Sequence, residues 1–411
     1  MIKRQTSIAI ENATGWRTPV MFLMIIVAAN GFTFATWGAL LNNFAIEKTN
    51  FSGAEIGLLQ SIREVPGLLA FTAIGFLYIF REQTFAIVSL LLLGLGTALT
   101  GFFPTEYGFY ATTLIMSVGF HYYETMNQSL SLQWLPKKTA PKTMGKILAV
   151  GSGSTLTAFA MIYLTWWVLA LDYKYIYIIG GLFSICIAIF LWFSFPHFQE
   201  KTTQRKTLVL RPRYWLFYAL TFMAGARRQI FVVFAGFLMV EKFGFTVTQI
   251  TTMFLANALF NMYFAPKIGH LIAKWGERRA LTLEYIGLIG VFVSYAFVEN
   301  STIAGGLYIL DHAFFAMAIA IKTYFQKIGD PQDMAPTAGV AFSINHIAAV
   351  FIPVVFGYIW LQSHAAVFLI GASFAFISLC LSLLIPNDPH AGNETILSNQ
   401  KSDQATHAAT A

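Results

Sequence analysis

The chain has 411 residues, 57% of them hydrophobic and only 11% charged, with a mean hydropathy of +0.63 and a formal net charge of +7. Globular domains carry about 25% charged residues, so a water-soluble enzyme is excluded. At about 20 apolar residues per crossing the chain holds about twelve membrane spans and no separate catalytic domain.

Apolar runs predict helices over 20–44, 54–80, 84–103, 107–135, 143–170, 174–195, 213–240, 247–273, 279–298, 302–325, 336–361 and 364–385. The first run is too long for a signal-peptide core and lacks a small-residue cleavage site, so it is expected to stay as a span. Polar residues divide the chain into an N-terminal tail (1–19), a six-helix bundle (20–195), a linker (196–212), a second six-helix bundle (213–385) and a tail (386–411) expected to be disordered. Lys and Arg number 20 in the tails and even-numbered connections against 3 in the odd ones (Lys48, Lys174, Lys242), leaving Arg63, Arg227 and Arg228 within spans. Basic residues stay inside, which puts both termini in the cytoplasm of an inner-membrane protein. The positive charge is thus a topology signal and implies no nucleic-acid partner. Cys186 and Cys380 sit inside apolar runs, where a thiol acts as a small hydrophobe, so neither a disulfide nor a thiolate metal site is expected.

The halves align at a constant offset of 194 residues: Glu55-Ile56 falls on Gln249-Ile250, Gly75 on Gly269 and Gly145 on Gly339. Internal duplication of this kind places functional groups between repeats in many membrane proteins.

Polar residues at depth are the candidates for function. In the fourth span Ser117, His121, Glu124, Gln128 and Ser131 recur every three or four residues and share one helix face. An ionisable group near a span centre costs about 2.5–3.5 kcal/mol on the insertion scale, so this face must meet a partner or water. The second span adds Gln60, Arg63 and Glu64; the seventh Arg227, Arg228 and Gln229; the eighth Asn257 and Asn261; the tenth Asp311 and His312; the eleventh Asn345 and His346. Each has a plainer role. Arg63 and Glu64 pair structurally or serve the site; of the tandem arginines only one can face a cavity while the other snorkels; Asn257 and Asn261 act as interhelical glue. Gly151 and Gly153 are read as close-packing positions, since the surrounding Gly-Ser run lacks the lysine and strand of a phosphate loop. His121 and Glu124 make half of a metal site with no second half, so no metal is expected.

Taken together, these groups imply a hydrated cavity in which arginines grip an anion. Glu124 is the first proton-coupling candidate, His121 its relay, with Asp311 and Glu64 following. Arg63, Arg227, Arg228, Tyr123, Gln128, Asn257, Asn261, Asn345 and His346 are the substrate-binding candidates.

After the eighth span the loop Gly269-His270-Leu271-Ile272-Ala273-Lys274-Trp275-Gly276-Glu277-Arg278-Arg279 resembles the G-x-L-x-D-R-x-G-R-R loop of the major facilitator superfamily. Gly269, Leu271, Lys274, Gly276 and Arg278 match, and Ala273 replaces the acidic residue. In the first half, Gly75 to Gln83, Ile79 and Phe80 stand where Asp and Arg are usual. The fourth span has no arginine in the L-x-x-R-x-x-Q-G pattern, and Gly145 to Leu164 contains no proline of the antiporter kink. The resemblance implies an all-α membrane protein of twelve helices in two pseudo-symmetric bundles, with Gly269, Lys274, Gly276 and Arg278 in its conformational loop. It implies a secondary transporter, not an enzyme, that moves a small organic solute by rocker-switch alternating access. The arginines favour an anionic or zwitterionic solute driven by protons, and the protein is expected to work as a monomer without a cofactor. A multidrug/proton antiporter of the same fold and a non-transporting sensor or scaffold are the alternatives.

Overall fold

The computed structural model describes residues 7–8, 15–76, 79–135, 140–198, 210–330 and 333–397. The expected basic residues Lys3, Arg4, Lys137, Lys138, Lys201, Arg205, Lys206 and Lys401, most of the linker, and the tail beyond 397 lie outside them, as do the side chain of Asn261 and the surroundings of Gly269. Helices fall on all of the expected spans. They are α1 (Pro19–Glu47), α2 (Gly53–Leu68), α3 (Glu82–Thr100), α4 (Glu106–Trp134), α5 (Ala140–Trp167), α6 (Tyr173–Ser194), α7 (Pro212–Glu241), α8 (Val247–Trp275), α9 (Glu277–Phe297), α10 (Ser301–Ile328), α11 (Met334–Trp360) and α12 (His364–Ser382).

Among the described residues nine helices are long and apolar enough to cross a membrane. Those that fall short are α2, α4 and α8. α2 is short, at 16 residues, and carries Gln60, Arg63 and Glu64; α4 carries the polar stripe; in α8 the described apolar stretch is Val247–Phe260.

Caps fix the helix starts. The Thr18 hydroxyl accepts from Met21 N–H at 3.2 Å with Pro19 at the first helical position, and Thr105, Asn300 and Ser363 cap α4, α10 and α12 in the same manner. The most informative starts are those of α2 and α8. Ser52 N–H donates to Glu55 Oε2 at 2.8 Å, and Thr246 N–H donates to Gln249 Oε1 at 2.8 Å. Each is a capping box, in which the fourth residue reaches back to the cap. The sequence match of Glu55 with Gln249 is therefore a duplicated helix start.

The chain forms two compact units. The first comprises Met1–Phe51, Ile62–Arg205 and Gly244–Leu255; the second comprises Ser52–Ser61, Lys206–Phe243 and Ala256–Ala411. They differ from the simple halves 20–195 and 213–385 because the starts of α2 and α8 are exchanged. Within the second unit α2 lies so close to α11 that a Cβ on Gly57 would meet the Pro353 carbonyl oxygen at 2.3 Å. Within the first, Asn43 Nδ2 donates to the Phe245 carbonyl at 2.7 Å.

Packing repeats between the units. In the first, α3 packs on α4 and α6, and α1 on α5 and α6; in the second, α9 packs on α10 and α12, and α7 on α11 and α12. Small residues permit the tightest approach. A Cβ on Gly94 of α3 would meet the Gly181 carbonyl oxygen of α6 at 2.6 Å. Buried hydroxyls hold α1: Thr33 Oγ1 donates to the Gly180 carbonyl at 2.7 Å, and Ser154 Oγ to the Ala28 carbonyl at 2.6 Å. Gly151 is a close-packing position as expected, its carbonyl 2.9 Å from a Cβ on Gly31, whereas at Gly153 nothing among the described residues lies within 4 Å of a Cβ.

Short segments close each unit at its base. In the first, β1 (Ser7–Ile8) pairs in parallel with β2 (His197–Phe198), Gln83 bonds the Pro196 carbonyl and Phe198 N–H at 2.9 and 3.0 Å, and Phe198 packs edge-on against Trp134. In the second, the expectation of a disordered tail is corrected over 386–397. Tyr324 Oη donates to the Glu394 carbonyl at 2.5 Å, Ile396 N–H donates to the Leu384 carbonyl at 3.0 Å, and Glu394 and Thr395 are buried. The polar composition that suggests disorder is spent on specific bonds. Beside it Arg211 and Tyr214 bond Asp333, and Arg213 pairs with Asp330. The Arg211 hydrogen bond holds the Asp333 carboxyl below the usual carboxylate range, so this clasp is complete at neutral pH and is lost only as pH falls through that lowered value.

Gly94→Ala is expected to destabilise the protein by about 1–3 kcal/mol through overpacking. Gly153→Ala should be neutral or stabilise by up to about 1 kcal/mol through helix propensity. Thermal unfolding of the two variants in detergent checks the contrast, and equal melting would contradict the α3–α6 contact.

Candidate functional site

The strongest concentration of buried charge lies in the second unit, where α7, α9 and α10 each contribute one ionic side chain. Arg227 and Glu284 are 0% exposed and Asp311 is 1% exposed. Arg227 Nη1 stands 3.6 Å from Glu284 Oε1, an ion-pair distance beyond hydrogen-bond reach. Its guanidinium carbon lies 4.4 Å from the Tyr285 ring centroid and 5.9 Å from that of Phe315, and Nε donates to the Met223 carbonyl at 3.2 Å. Asp311 is within electrostatic reach of both Arg227 and Glu284. Among the described residues no hydrogen-bond partner meets either carboxyl oxygen of Glu284 or Asp311, or either terminal nitrogen of Arg227. A buried polar atom without a partner costs about 1–3 kcal/mol, and more when charged, so this group of side chains is not explained by stability.

An aromatic wall closes it. Phe231 packs on Tyr295, Tyr308 and His312 with centroids 5.6, 5.2 and 5.6 Å away, and His312 Nδ1 bonds the Tyr308 carbonyl at 2.9 Å. Regular helix is interrupted just after Arg227 and just after Asp311. Residues Phe231–Ala235 of α7 form a π turn, and Ala316–Ala318 of α10 form a 3-10 turn. Such turns inside long helices are frequent at functional sites.

The first unit holds a smaller group. Arg63 forms an ion pair with its neighbour Glu64, both nearly buried, and His121 Nε2 stands 3.8 Å from the other Glu64 oxygen. His121 Nδ1 and Ser117 Oγ are 3.0 Å apart, and Ser117 Oγ also donates to the Arg63 carbonyl. The Arg63 guanidinium lies 6.0 Å from the buried Trp37 ring. α2 breaks soon after, at Leu69, three residues beyond Pro66.

The structure divides the remaining candidates. On the α4 stripe Ser117, His121 and Ser131 are buried, while Glu124 and Gln128 are exposed. Tyr123, beside the stripe, is 1% exposed. Of the tandem arginines Arg227 is wholly buried and Arg228 exposed, as adjacent positions about 100° apart on a helix require. Asn257 is buried, its Oδ1 without a hydrogen bond among the described residues, Asn345 lies against Gly225, and His346 bonds the Phe342 carbonyl at 2.9 Å while resting on its ring. In the loop, Gly276 takes φ of 81° directly before α9, Lys274 is exposed and Arg278 half-buried. Glu277 is buried and pairs with Lys327 at 2.9 Å, giving this loop an acidic anchor although Ala273 stands in the usual acidic place.

Glu284 is absent from the sequence-derived candidates. The signal was a single acid inside the apolar run 279–298, which turns three acids against three cations at depth into four against three.

The sequence profile described as Major Facilitator Superfamily matches residues 21–353. The chain belongs to the major facilitator superfamily. As a superfamily member it is a multi-pass membrane transporter. No curated protein sequence matches it significantly. Its fold is similar to that of a mutant of the nucleoside transporter NupG, with a TM-score of 0.74 at 16% identity over 89% of this chain and 99% of that one. It is also similar to a bacterial homolog of the human lysosomal transporter Spinster (TM-score 0.71, 12% identity, 90% of this chain and 97% of that one). A POT family peptide transporter gives a TM-score of 0.67 at 13% identity over 89% and 96% of the two chains.

Arg227→Leu is expected to cost about 3–5 kcal/mol, the penalty of leaving a buried carboxylate without its cation. Adding Glu284→Leu should recover more than half of that loss. A double-mutant cycle on thermal or denaturant unfolding checks this, and additive losses would show that the two side chains are not coupled.

Proposed function

We propose that this transporter couples proton movement to the passage of a small organic solute, anionic or zwitterionic, by rocker-switch alternating access. The observation that carries the proposal is the charge count of the second unit. One guanidinium and two carboxyl groups are neutral only when one carboxyl holds a proton, and a net charge in a dry bundle is expensive. The group therefore takes its proton when cut off from water and has reason to release it once water enters. Asp311 and Glu284 are the coupling residues of this reading; Glu64, bound to Arg63 and His121, is a second titratable site, and Glu124 lies on the exposed part of its stripe.

Arg228 supports the anionic preference. It is the exposed member of the tandem and remains charged at all physiological pH. The descriptions of similar folds name nucleosides and peptides, polar organic solutes of the expected size class. The excess of basic residues in even-numbered connections supports an inner-membrane position with cytoplasmic termini, and monomeric function is part of the proposal.

In proteoliposomes, Asp311→Asn is expected to abolish accumulation driven by a pH gradient while leaving solute exchange at equal pH within about twofold of wild type, the separation expected of a residue that carries only the proton. Unchanged accumulation would remove Asp311 from coupling. Arg228→Gln should raise KM at least about tenfold, the size of a lost charge-assisted hydrogen bond, with Arg228→Lys between the two. A KM unmoved by Arg228→Gln would count against an anionic solute.

A further inference from the structure

The base of α9 carries two basic residues, Arg278 of the conformational loop and Arg279, that neither the proton-coupling group nor the proposed solute contact uses. Arg278 and Arg279 occupy the first turn of this membrane-crossing helix, and with Thr282, Leu283, Ile286 and Asn387 they line a cavity of about 330 Å³. Spacing explains the lining: Arg278, Thr282 and Ile286 follow one another at intervals of four, and Arg279 and Leu283 do the same on the adjoining ridge. Asn387 closes the cavity from the segment after α12, which packs along α9 through the contact of Gly371 with Phe292.

The cavity is two-sided in its chemistry. Its arginine end is positive, and among the described residues neither Arg278 nor Arg279 forms an ion pair. The neighbouring Glu277 is committed to Lys327 at 2.9 Å, so the charge beside them is already neutralised. The other end is apolar and open outward, with Leu283 39% and Ile286 55% exposed one to two turns into the span. A free anion would use the first half and leave the second bare. A molecule with a phosphate head and a hydrocarbon body uses both.

We propose that this cavity binds the headgroup of an anionic phospholipid, its phosphate held between Arg278 and Arg279 and its acyl chain along Leu283 and Ile286. The depth fits, because the first turn of a span sits at the level of the headgroups, where basic residues attract anionic lipids. Asn387 and Thr282 offer neutral hydrogen bonds to the glycerol oxygens. The site stands apart from Arg227, Glu284 and Asp311 and does not depend on what is transported.

Native mass spectrometry of the full-length protein in detergent, titrated with phosphatidylglycerol or with phosphatidylcholine of the same chains, tests the proposal. Wild type is expected to retain phosphatidylglycerol preferentially. Arg278→Gln with Arg279→Gln should bind it about 30-fold more weakly, given about 1 kcal/mol per basic residue and tenfold per 1.4 kcal/mol, and should bind phosphatidylcholine like wild type. Excess inorganic phosphate should not displace the lipid. The control Lys274→Gln, outside the cavity, should lose far less. Equal phosphatidylglycerol retention by the double variant, displacement by phosphate, or an equal loss in Lys274→Gln would each overturn the proposal. If the double variant does not fold, Ile286→Glu, which makes the apolar wall acidic, is expected to show the same selective loss, and full retention there overturns it too.

Discussion

A guanidinium surrounded by apolar helices needs a counter-charge, and this chain supplies one more than electroneutrality allows. Arg227 stacks on Tyr285 and faces Glu284, while Asp311, almost equally buried, has no hydrogen bond to either carboxyl oxygen among the described residues. Helices α7, α9 and α10 must be held firmly for such a group to persist, and the second unit does so with aromatic packing around Phe231 and with tight α9–α12 contacts. The surrounding fold is the means by which an electrically awkward cluster is kept away from lipid. The proton coupling proposed above rests on that awkwardness.

The duplication behind the fold has kept polar positions and redistributed the charge. Adding 194 carries Thr33 onto Arg227, Arg63 onto Asn257 and Ser117 onto Asp311. At each pair both copies are polar, one is ionic and the other neutral. Thr33 ties α1 to α6 where Arg227 meets Glu284, and Ser117 bonds His121 where Asp311 has no hydrogen bond among the described residues. The scaffold demands a polar side chain at those places because the helices present them to the bundle interior. Which copy carries the charge is a separate matter, and it has been settled differently in the two units.

Much of this was readable from the chain alone, for definable reasons. The spans follow from apolar runs, and the register of the repeat from Glu55 and Gln249, whose shared role as capping-box acids and amides is a local property of four residues. Arg63 and Glu64 were readable as a pair because they are adjacent. Glu284 was not: one acid in an apolar run carries no sign of its partner, which arrives from α7, 57 positions earlier in the chain. The tail at 386–397 escaped for the opposite reason, since a stretch rich in Asn, Asp and Gly is ordered here by Tyr324, a residue whose proximity only folding reveals. Gly153 was misjudged because a glycine at helical spacing does not announce whether a neighbour is present.

The π turn at Phe231–Ala235 gives α7 a property that a straight helix would lack. One extra residue per turn advances everything downstream by about 100°, so Phe234 and Phe237 come to face Trp360, and Glu241 receives the indole N–H of Trp360 at 2.9 Å. In a uniform α-helix of the same sequence those side chains would lie about 100° away from the direction of Trp360. The widened turn thus sets the rotation of the second half of α7 about its axis relative to the part that carries Arg227.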